Sequence, residues 1–352
     1  MKVSVVILNW NAEHLLRKFL PTLIDCCTLP EGWGDVEVVG ADNGSTDDSQ
    51  YYVRAMAALH PHFQLRFLPL DKNWGFAEGY NRALAQIDAT YVVLLNDDVE
   101  VSPGWLAPLV KYMDAHPDTA ACQPMLLKYG NGGYFEYAGA CGGYLDRYGY
   151  PFCRGRIFST VEPNKNQYAT TSDLLWATGA CLFIRLDDYR SAGGLDGRFF
   201  AHMEEVDLCW RLSCRNRKIA CVTDSIVYHM GGASLAAGSP YKTFLNFRNN
   251  LLMLYKNLPT DELRHVMRVR RMLDVVAAFT FLLKGERKNF SAVFRARRAF
   301  RNMKDEFRTT RDENLSAARQ AGNPSMSVPG RRPIFLLWRY HFKRQHTFTQ
   351  LS

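Results

Sequence analysis

The first hundred residues alternate short, mostly apolar runs with segments in which apolar residues recur every three or four positions. Continuous apolar runs are typical of strands that are covered on both faces. The runs are Val3–Leu8, Val36–Gly40, Leu65–Leu68 and Tyr91–Leu95. The segments between them, at about 12–24, 45–59 and 76–87, predict helices because their apolar side chains share one face. Strands alternating with helices predict an α/β fold with a mainly parallel sheet and right-handed crossovers, Rossmann-like in character.

The pattern changes twice farther along the chain. Residues 120–235 are less regular, with glycine-rich loops at 130–143, a short strand at 180–184, a helix at Met203–Arg215 and a short strand at Ile226–His229. After Pro240 long helical segments rich in Arg, Leu and Phe dominate, and a polar stretch at 311–330 is predicted to be flexible. We therefore expect a body of residues 1–240, divided into halves at 1–100 and 101–240, and a helical region of residues 241–352.

The charge is divided in the same way. Residues 241–352 contain 23 Lys and Arg against 8 Asp and Glu, a net charge of +15. The rest of the chain contains 20 against 27, a net charge of −7. A basic region beside an acidic body predicts an anionic partner for that region. A membrane surface is the better prediction than a nucleic acid, because the body offers no matching basic surface.

The arrangement of apolar residues in the basic region favours the same partner. Val275–Leu283 is apolar but shorter than the roughly 18 residues that span a bilayer, and aromatic residues alternate with Arg and Lys after it. We therefore expect residues 241–352 to dock on an anionic membrane face. The alternative is packing of these residues against the body or a second subunit, for which Tyr241–Leu258 is best suited, so the sequence leaves an oligomer open.

The remaining bulk features point to a cytoplasmic protein. The N-terminal MKVSVVILNWNAEHLL lacks the long apolar run and cleavage site of a signal peptide. The nine cysteines form no CxxC pair and no regular framework, which is typical of reduced thiols. We therefore expect a cytoplasmic protein that lies on the cytoplasmic face of the membrane.

Polar residues stand where the predicted strands end, and ligands bind beyond the carboxyl ends of such strands. Asn9, Asp42 and the Asn96-Asp97-Asp98 triplet all follow this rule. The adjacent carboxylates of Asp97 and Asp98 repel each other, and a cation would relieve that repulsion. Mg²⁺ or Mn²⁺ uses one or two carboxylates together with substrate phosphates, so a diphosphate ligand is implied. A solvated turn is the alternative interpretation of the pair.

Two further stretches could carry chemistry. DKNWGFAEGYNRAL, residues 71–84, has glycines that permit close approach of a ligand and two asparagines, Asn73 and Asn81, that could hold a nucleotide. FFAHMEEVDLCWRL, residues 199–212, places three acids at a helix start, where the helix dipole alone would favour them. One of these acids could also be the base that takes the proton from an acceptor hydroxyl during group transfer. His229 is a lone histidine at a strand end.

Together these stretches resemble the inverting, GT-A-fold glycosyltransferases of family 2, in the rhamnosyltransferase-like branch, over about residues 1–235. The combination is specific through its order and spacing. It comprises Asn9–Asn11, Asp42–Asp47, Asn73-x-Gly75-Phe76-Ala77, Asn96–Asp98, Gly179-Ala180 with Arg185, Glu204-Glu205-x-Asp207-Leu208-x-x-Arg211, and His229 before Gly231-Gly232.

The resemblance implies a role for each matching position. Asp42 is similar to the residue that contacts the nucleotide base, and Asn96–Asp98 to the DxD motif, with Asp98 as the direct ligand of Mg²⁺ or Mn²⁺. Glu204-Glu205 resembles a Glu-Asp pair whose second member is the usual base, and the longer Glu205 leaves the choice within the pair open. His229 resembles a histidine that meets the metal or the diphosphate. Further nucleotide-sugar contacts are implied for Asn9, Asn11, Asn73, Gly75, Asn81, Asn96 and Asp97, and acceptor-side contacts for Gly179, Ala180, Asp207 and Arg211.

The resemblance thus implies metal-dependent, inverting transfer from dTDP-rhamnose or a UDP-hexose to a glycan or lipid-linked acceptor in cell-surface polysaccharide synthesis. Two alternatives belong to other classes. A sugar nucleotidyltransferase would have a glycine-rich loop with a basic residue near the N-terminus, which Leu8–Asn11 does not provide. A non-catalytic protein that binds sugar nucleotides or glycans would not need Asp98, Glu205 and His229 together.

Overall fold

The structure, a computed structural model, describes residues 1–231 and 238–351. In these residues the chain forms a mixed α/β fold whose central sheet is mainly parallel, as the alternation of apolar runs predicts. Gly232, part of the turn that the sequence places after His229, lies outside the described residues.

The strands and helices follow the predicted order. The strands are β1 Lys2–Asn9, β2 Asp35–Asp42, β3 Leu65–Pro69, β4 Tyr91–Leu95, β5 Val99–Val101, β6 Thr119–Lys128, β7 Asn131–Phe135, β8 Gly143–Leu145, β9 Pro151–Cys153, β10 Arg156–Ile157, β11 Thr160–Val161, β12 Ser172–Leu174, β13 Cys181–Arg185 and β14 Lys218–His229. The α-helices are α1 Glu13–Cys26, α2 Ser49–Leu59, α3 Gly75–Leu84, α4 Leu106–Ala115, α5 Leu186–Ser191, α6 Glu204–Cys214, α7 Pro240–Asn257, α8 Thr260–Leu283, α9 Arg287–Met303, α10 Arg308–Gln320 and α11 Leu336–His341. Short 3₁₀ turns occupy Gly197–Phe199, Lys304–Phe307 and Phe348–Leu351.

The order of strands across the sheet brings the polar strand ends together. The order is β12-β14-β6-β13-β4-β1-β2-β3, with β5 and β7 pairing at its side. β1 runs parallel to both β2 and β4, so the carboxyl ends of these three strands lie at one edge. β13 runs antiparallel to β4, which places its amino-terminal end at the same edge. A small second sheet contains β8 to β11.

Two predictions about local structure are wrong. The stretch at 311–330 is predicted to be flexible, but α10 covers its first half, with Arg311 and Asn314 buried on the inner face. Arg311 donates to the carbonyl of Leu258 over 2.7 Å. Because α10 is held by such polar contacts, its sequence lacks the apolar periodicity that indicates a helix. The helix predicted over residues 45–59 begins later, at Ser49.

The C-terminal helices pack on the body. α7 buries much of its apolar face, including Leu245, Leu251 and Leu254, which confirms that Tyr241–Leu258 is a packing segment. α9 buries Ala292, Val293 and Ala296. Across the ranges 1–231 and 238–351, none of the helices is both long and apolar enough to cross a bilayer. All nine cysteines are unpaired.

Candidate active site

The carboxyl ends of β1 and β2 carry a hydrogen-bond network. Asn9 lies opposite Asp42 in the sheet register, and its Nδ2 donates to Asp42 Oδ1 over 3.3 Å and to Ser45 Oγ over 3.2 Å. The backbone N–H of Ser45 donates to the other Asp42 oxygen over 3.2 Å. The backbone N–H of Asn11 donates to the Ser45 hydroxyl over 2.9 Å. The structure therefore brings Asn9, Asn11 and Asp42 together and orients the Asp42 carboxylate.

Asn43 connects this corner to the start of α3. Its Nδ2 donates to Asn73 Oδ1 over 3.2 Å and to the Gly75 carbonyl over 3.1 Å, while its Oδ1 accepts from the N–H of Trp74. Gly75 has a φ of +76°, and a Cβ there would lie 2.5 Å from the Phe200 ring. Only glycine fits these two conditions. Asn73 and Gly75 thus lie between the β2 corner and the segment that precedes α6.

Asp98, directly after β4, is held ionised by a histidine. Its Oδ1 lies 3.0 Å from His229 Nε2, and the other ring nitrogen, Nδ1, lies 3.3 Å from Glu136 Oε2. Burial would lower the pKa of His229, but hydrogen bonds and charge from Asp98 and Glu136 outweigh burial and raise that pKa to about 10. Burial would raise the pKa of Asp98, but the hydrogen bond and positive charge of His229, together with backbone hydrogen bonds, outweigh burial and lower that pKa. At neutral pH the His229 imidazolium therefore lies buried between the side chains of Asp98 and Glu136.

Asp97 lacks a comparable cation. Burial is the main reason that the pKa of Asp97 is raised to about 7, and the negative charge of Asp98 adds to this effect. The preceding residue, Asn96, donates its backbone N–H to the carbonyl of Ala180 over 3.0 Å. Ionisation of Asp97 at this strand end is therefore incomplete at neutral pH, and an added positive charge would favour it.

The donor set at this strand end fits a divalent cation. Asp97 and Asp98 offer hard carboxylate oxygens, and Mg²⁺ or Mn²⁺ needs only one or two of these when phosphates and water complete the shell. Within residues 1–231 and 238–351, no three or more His, Cys, Asp or Glu side chains are grouped to enclose a metal by themselves. Both ring nitrogens of His229 face carboxylates, so a ligand role for His229 would require one of these contacts to be exchanged.

A second carboxylate pair, Glu204 and Glu205, opens α6. In the described part of the chain the Oε2 atoms of both residues have no hydrogen-bond partner. Burial raises the pKa of Glu205 to about 7. Burial also raises the pKa of Glu204, and the charge of Glu205 adds to that effect. A carboxylate with a pKa near 7 is suited to accept a proton at neutral pH.

The segment that presents this pair has a strained backbone. Phe200, His202 and Met203 have φ values of +67°, +71° and +74°, and such conformations cost about 1–3 kcal/mol each for residues other than glycine. Asn249, on α7, holds the segment in place. Its side-chain amide donates to three backbone carbonyls at 3.0, 2.8 and 2.8 Å, those of Phe199, Ala201 and His202.

Gly179 and Ala180 lie between the two carboxylate pairs. A Cβ on Gly179 would lie 3.2 Å from the Phe76 ring and 3.8 Å from the Cβ of Glu205. The carbonyl of Ala180 accepts from the backbone of Asn96, which precedes the aspartate pair. This short loop before β13 therefore contacts both the helix that bears Glu205 and the strand end that bears Asp97 and Asp98.

Asp207 and Arg211 are buried on α6 and pair with each other. Asp207 is fully buried, and its carboxylate lies 2.9 Å from Arg211 Nε, 2.8 Å from Lys256 Nζ and 2.8 Å from Asn257 Nδ2. Lys256 also lies 2.7 Å from Asp196 Oδ2. These contacts attach α6 to α7 and engage both side chains, and the acceptor-side role of the two residues stays a prediction.

Asn81 is engaged in a similar way. Its Oδ1 accepts from the Leu195 N–H over 3.0 Å and from the Tyr189 hydroxyl over 2.6 Å, and its Nδ2 donates to the Leu195 carbonyl over 2.7 Å. Together with Arg211 it lines a cavity of about 770 Å³ whose lining includes neither the aspartate nor the glutamate pair. Asn81 therefore supports the loop before α6, and its role in nucleotide binding stays a prediction.

Two site residues carry no motif in the sequence. Glu136 lies in the glycine-rich stretch and is recognisable only through its contact with His229. Asn249 belongs to a helix that also buries Asn250 and Asn257. Asparagine is a poor helix former, so several of them within one mostly apolar helix are a usable indication of buried polar contacts.

Residues 4–166 match the model of glycosyl transferase family 2, so Glu204, Glu205 and His229 lie beyond the matched range. The chain is 29% identical over 226 residues to an N-acetylglucosaminyl-diphospho-decaprenol L-rhamnosyltransferase of Mycobacterium tuberculosis, covering 60% of this chain and 70% of that protein.

Solved structures show the same fold at low identity. GalNAc-T7, solved with UDP, GalNAc and Mn²⁺, superimposes with a TM-score of 0.56 at 14% identity, covering 73% of this chain and 48% of that chain. The mannosyltransferase PcManGT of Pyrobaculum calidifontis, solved with GDP-Man and Mn²⁺, gives a TM-score of 0.53 at 16% identity, covering 91% of this chain and 86% of that chain. The α/β fold with its mainly parallel sheet is therefore the GT-A fold. The family match, the related rhamnosyltransferase and this fold agree that residues 4–166 form a glycosyl transferase family 2 domain and that the chain is a glycosyltransferase.

Proposed function

We propose that the protein is a metal-dependent, inverting glycosyltransferase that uses a nucleoside diphosphate-sugar and a hydroxyl of a glycan or lipid-linked acceptor, in cell-surface polysaccharide synthesis. The observation that supports this best is the contrast between the two carboxylate pairs that the Gly179-Ala180 loop connects. Asp98 is kept ionised beside His229, whereas burial raises the pKa of Glu205 to about 7. One pair is suited to a cation and a diphosphate, and the other to removing a proton.

The donor would lie on the side of the sheet edge formed by residues 1–100. Asp42 is suited to accept hydrogen bonds from a nucleotide base or ribose, because its neighbours orient the carboxylate. The base or ribose would also lie near four neighbours of Asp42, namely Asn9, Asn11, Asn73 and Gly75. The diphosphate would lie farther along the sheet edge, beside Asn96 and Asp97. We expect dTDP-rhamnose as the donor, with a UDP-hexose as the second choice, because the related protein from M. tuberculosis is an L-rhamnosyltransferase.

The acceptor would lie beside Gly179, Ala180 and Glu205, in the half formed by residues 101–240. The related protein is named for an N-acetylglucosaminyl-diphospho-decaprenol acceptor, so we propose a sugar on a lipid diphosphate as the acceptor class. A Cβ on Gly179 would lie 3.8 Å from the Cβ of Glu205, so the glycine allows this loop to lie close to the proposed base.

The proposed reaction is one displacement at the anomeric carbon. Glu205 takes the proton of the acceptor hydroxyl while the oxygen of that hydroxyl forms its bond to the anomeric carbon. The bond from that carbon to the β-phosphate oxygen breaks, and the nucleoside diphosphate leaves with the electron pair. Attack from the face opposite the leaving group inverts the anomeric carbon. His229 holds Asp98 ionised and in place, and Asn249 holds the segment that aims Glu205.

Asp98, with Asp97, would hold Mg²⁺ or Mn²⁺. Such an ion supplies Lewis-acid stabilisation of the charge that develops on the diphosphate. This assignment agrees with the Mn²⁺ in the two solved structures of similar fold.

A donor screen tests the proposal. Purified protein is incubated with dTDP-rhamnose, UDP-hexoses or GDP-mannose, a GlcNAc-diphosphate lipid, and Mg²⁺ or Mn²⁺, and the product is analysed by mass spectrometry and NMR. We expect sugar transfer with an inverted anomeric configuration and equimolar release of nucleoside diphosphate. A retained configuration contradicts the mechanism, and synthesis of a sugar nucleotide from a sugar phosphate would show a nucleotidyltransferase instead.

A further inference from the structure

The hairpin formed by α8 and α9 exposes a continuous apolar ridge. On α8 the exposed residues Met272, Val276, Phe279 and Leu283 recur at intervals of four, three and four residues, which places them on one face of the helix. Met272 and Leu283, at its two ends, are 62% and 87% exposed. The ridge therefore runs along three turns of α8 without being covered by the rest of the described chain.

Aromatic contacts extend this ridge onto α9. The rings of Phe279 and Phe290 lie 5.7 Å apart, and those of Phe290 and Phe294 lie 5.1 Å apart, both edge to face. Phe294 is itself exposed. We call the six residues the hairpin ridge: Met272, Val276, Phe279, Leu283, Phe290 and Phe294.

Basic residues border the hairpin ridge, and few acids balance them. Between residues 268 and 298 the exposed charged residues are one acid, Glu286, and seven basic residues: Arg268, Arg271, Lys284, Arg287, Lys288, Arg295 and Arg298. The other acid in this range, Asp274, is buried and pairs with Arg270 and Arg297. The exposed side of the hairpin therefore has a strong positive charge that no ion pair within it cancels.

From this combination we propose that the hairpin ridge inserts into the headgroup region of an anionic membrane, with the bordering Arg and Lys residues contacting lipid phosphates. Exposed apolar residues in a row favour a surface that is not aqueous, and the surrounding cations match anionic lipid. A second copy of the chain would bring two basic surfaces together, and a nucleic acid would leave the ridge without an apolar partner.

The sequence predicts a membrane contact for all of residues 241–352, and the structure limits the proposed contact to the exposed side of the α8–α9 hairpin. α7 is excluded because it packs on α6 of the body, and the inner face of α9 packs on α7. Docking through the hairpin does not depend on the transfer reaction. It would bring the enzyme to a lipid-linked acceptor if the proposed function is correct.

Vesicle co-sedimentation tests the proposal with the full-length chain. Vesicles of phosphatidylcholine alone or with phosphatidylglycerol are used at low and high salt. The ridge variant Phe279→Ser/Leu283→Ser and the charge variant Arg287→Glu/Lys288→Glu are compared with Tyr51→Ser/Leu59→Ser, which changes two exposed residues of α2 in the body. Circular dichroism verifies that all variants are folded.

We expect binding only to the anionic vesicles, weakened by salt. Each basic residue near the surface contributes about fivefold to partitioning, so the charge variant should lose at least about tenfold and the ridge variant a similar factor, while the α2 variant binds normally. Equal binding to neutral vesicles, or unchanged binding of both hairpin variants, overturns the proposal.

A ridge variant that changes the molecular mass in solution without changing vesicle binding would show an interface between copies of the chain. Turnover with a water-soluble acceptor tests the proposed transfer separately, since the ridge variant should retain it.

Discussion

The two carboxylate pairs of the candidate site are chemically similar and differ in their neighbours. Asp97-Asp98 follows a strand, and the imidazolium of His229 lies 3.0 Å from Asp98. Glu204-Glu205 begins a helix, and the described chain supplies no hydrogen-bond partner for the Oε2 atom of either residue. A group that holds a cation must stay ionised, whereas a base works best when its pKa is near the working pH. The comparison shows that a neighbouring cation, more than the carboxylates themselves, separates the two proposed roles.

The largest effect is expected from Asp98→Asn, which keeps the shape of the side chain and removes its charge. Transfer should fall below detection because the cation and the diphosphate lose their main anionic partner. Transfer with Mg²⁺ or Mn²⁺ is measured beside Mn²⁺ binding in the presence of nucleoside diphosphate. Glu136→Gln, on the other side of the same imidazole, is the matched control and should retain most activity. Normal Mn²⁺ binding by Asp98→Asn contradicts the metal assignment.

The next largest effect is expected from Glu205→Gln. Loss of the base should lower kcat by about 10²–10⁴-fold, while donor affinity is nearly unchanged because the proton moves only in the transition state. Steady-state kinetics and donor binding by calorimetry measure the two effects separately. Glu204→Gln is the control; if it is the inactive variant and Glu205→Gln is active, the assignment within the pair is reversed.

The pH dependence should reveal the same difference. A base acts when deprotonated, so kcat should be constant above a pH of about 7, the raised pKa of Glu205, and fall about tenfold per pH unit below it. The profile is measured at saturating donor and metal so that protonation of Asp97 does not limit binding. A kcat that stays level down to pH 5 would mean that Glu205 is not the titrating base.

The smallest effect is expected from Asn249→Ala, which removes the three hydrogen bonds that hold the strained segment before Glu204. Displacement of the glutamate pair should reduce kcat by about tenfold to hundredfold, with little change in donor KM. Asn250→Ala is the matched control, because Asn250 is equally buried on the same helix but donates to the carbonyl of Gly149. Similar unfolding temperatures of the two variants with unequal kcat values would support the positioning of the glutamate pair by Asn249. An equal loss of kcat in both variants would show that Asn249 only stabilises the fold.

The sequence by itself determined the α/β order and one edge of the site. Apolar runs and helical periodicity are local properties of the chain, so they locate β1, β2 and β4, and the rule that parallel strands end together places Asn9, Asp42 and Asp98 at one edge. The family motifs added the glutamate pair. These features need no knowledge of which distant residues meet.

Only the tertiary structure decided which partner each charge has. Asp98 meets His229 across 131 positions of the sequence, and Asp207 meets Lys256 across 49. Asn249 binds a segment that lies 47 to 50 positions before it. The family motif marks Asp207 and Arg211 as site residues, and the structure adds that they are buried and lie 2.9 Å apart as an ion pair. An isolated polar residue has no periodicity, so its role is set by the groups that folding places against it and by the water that burial removes.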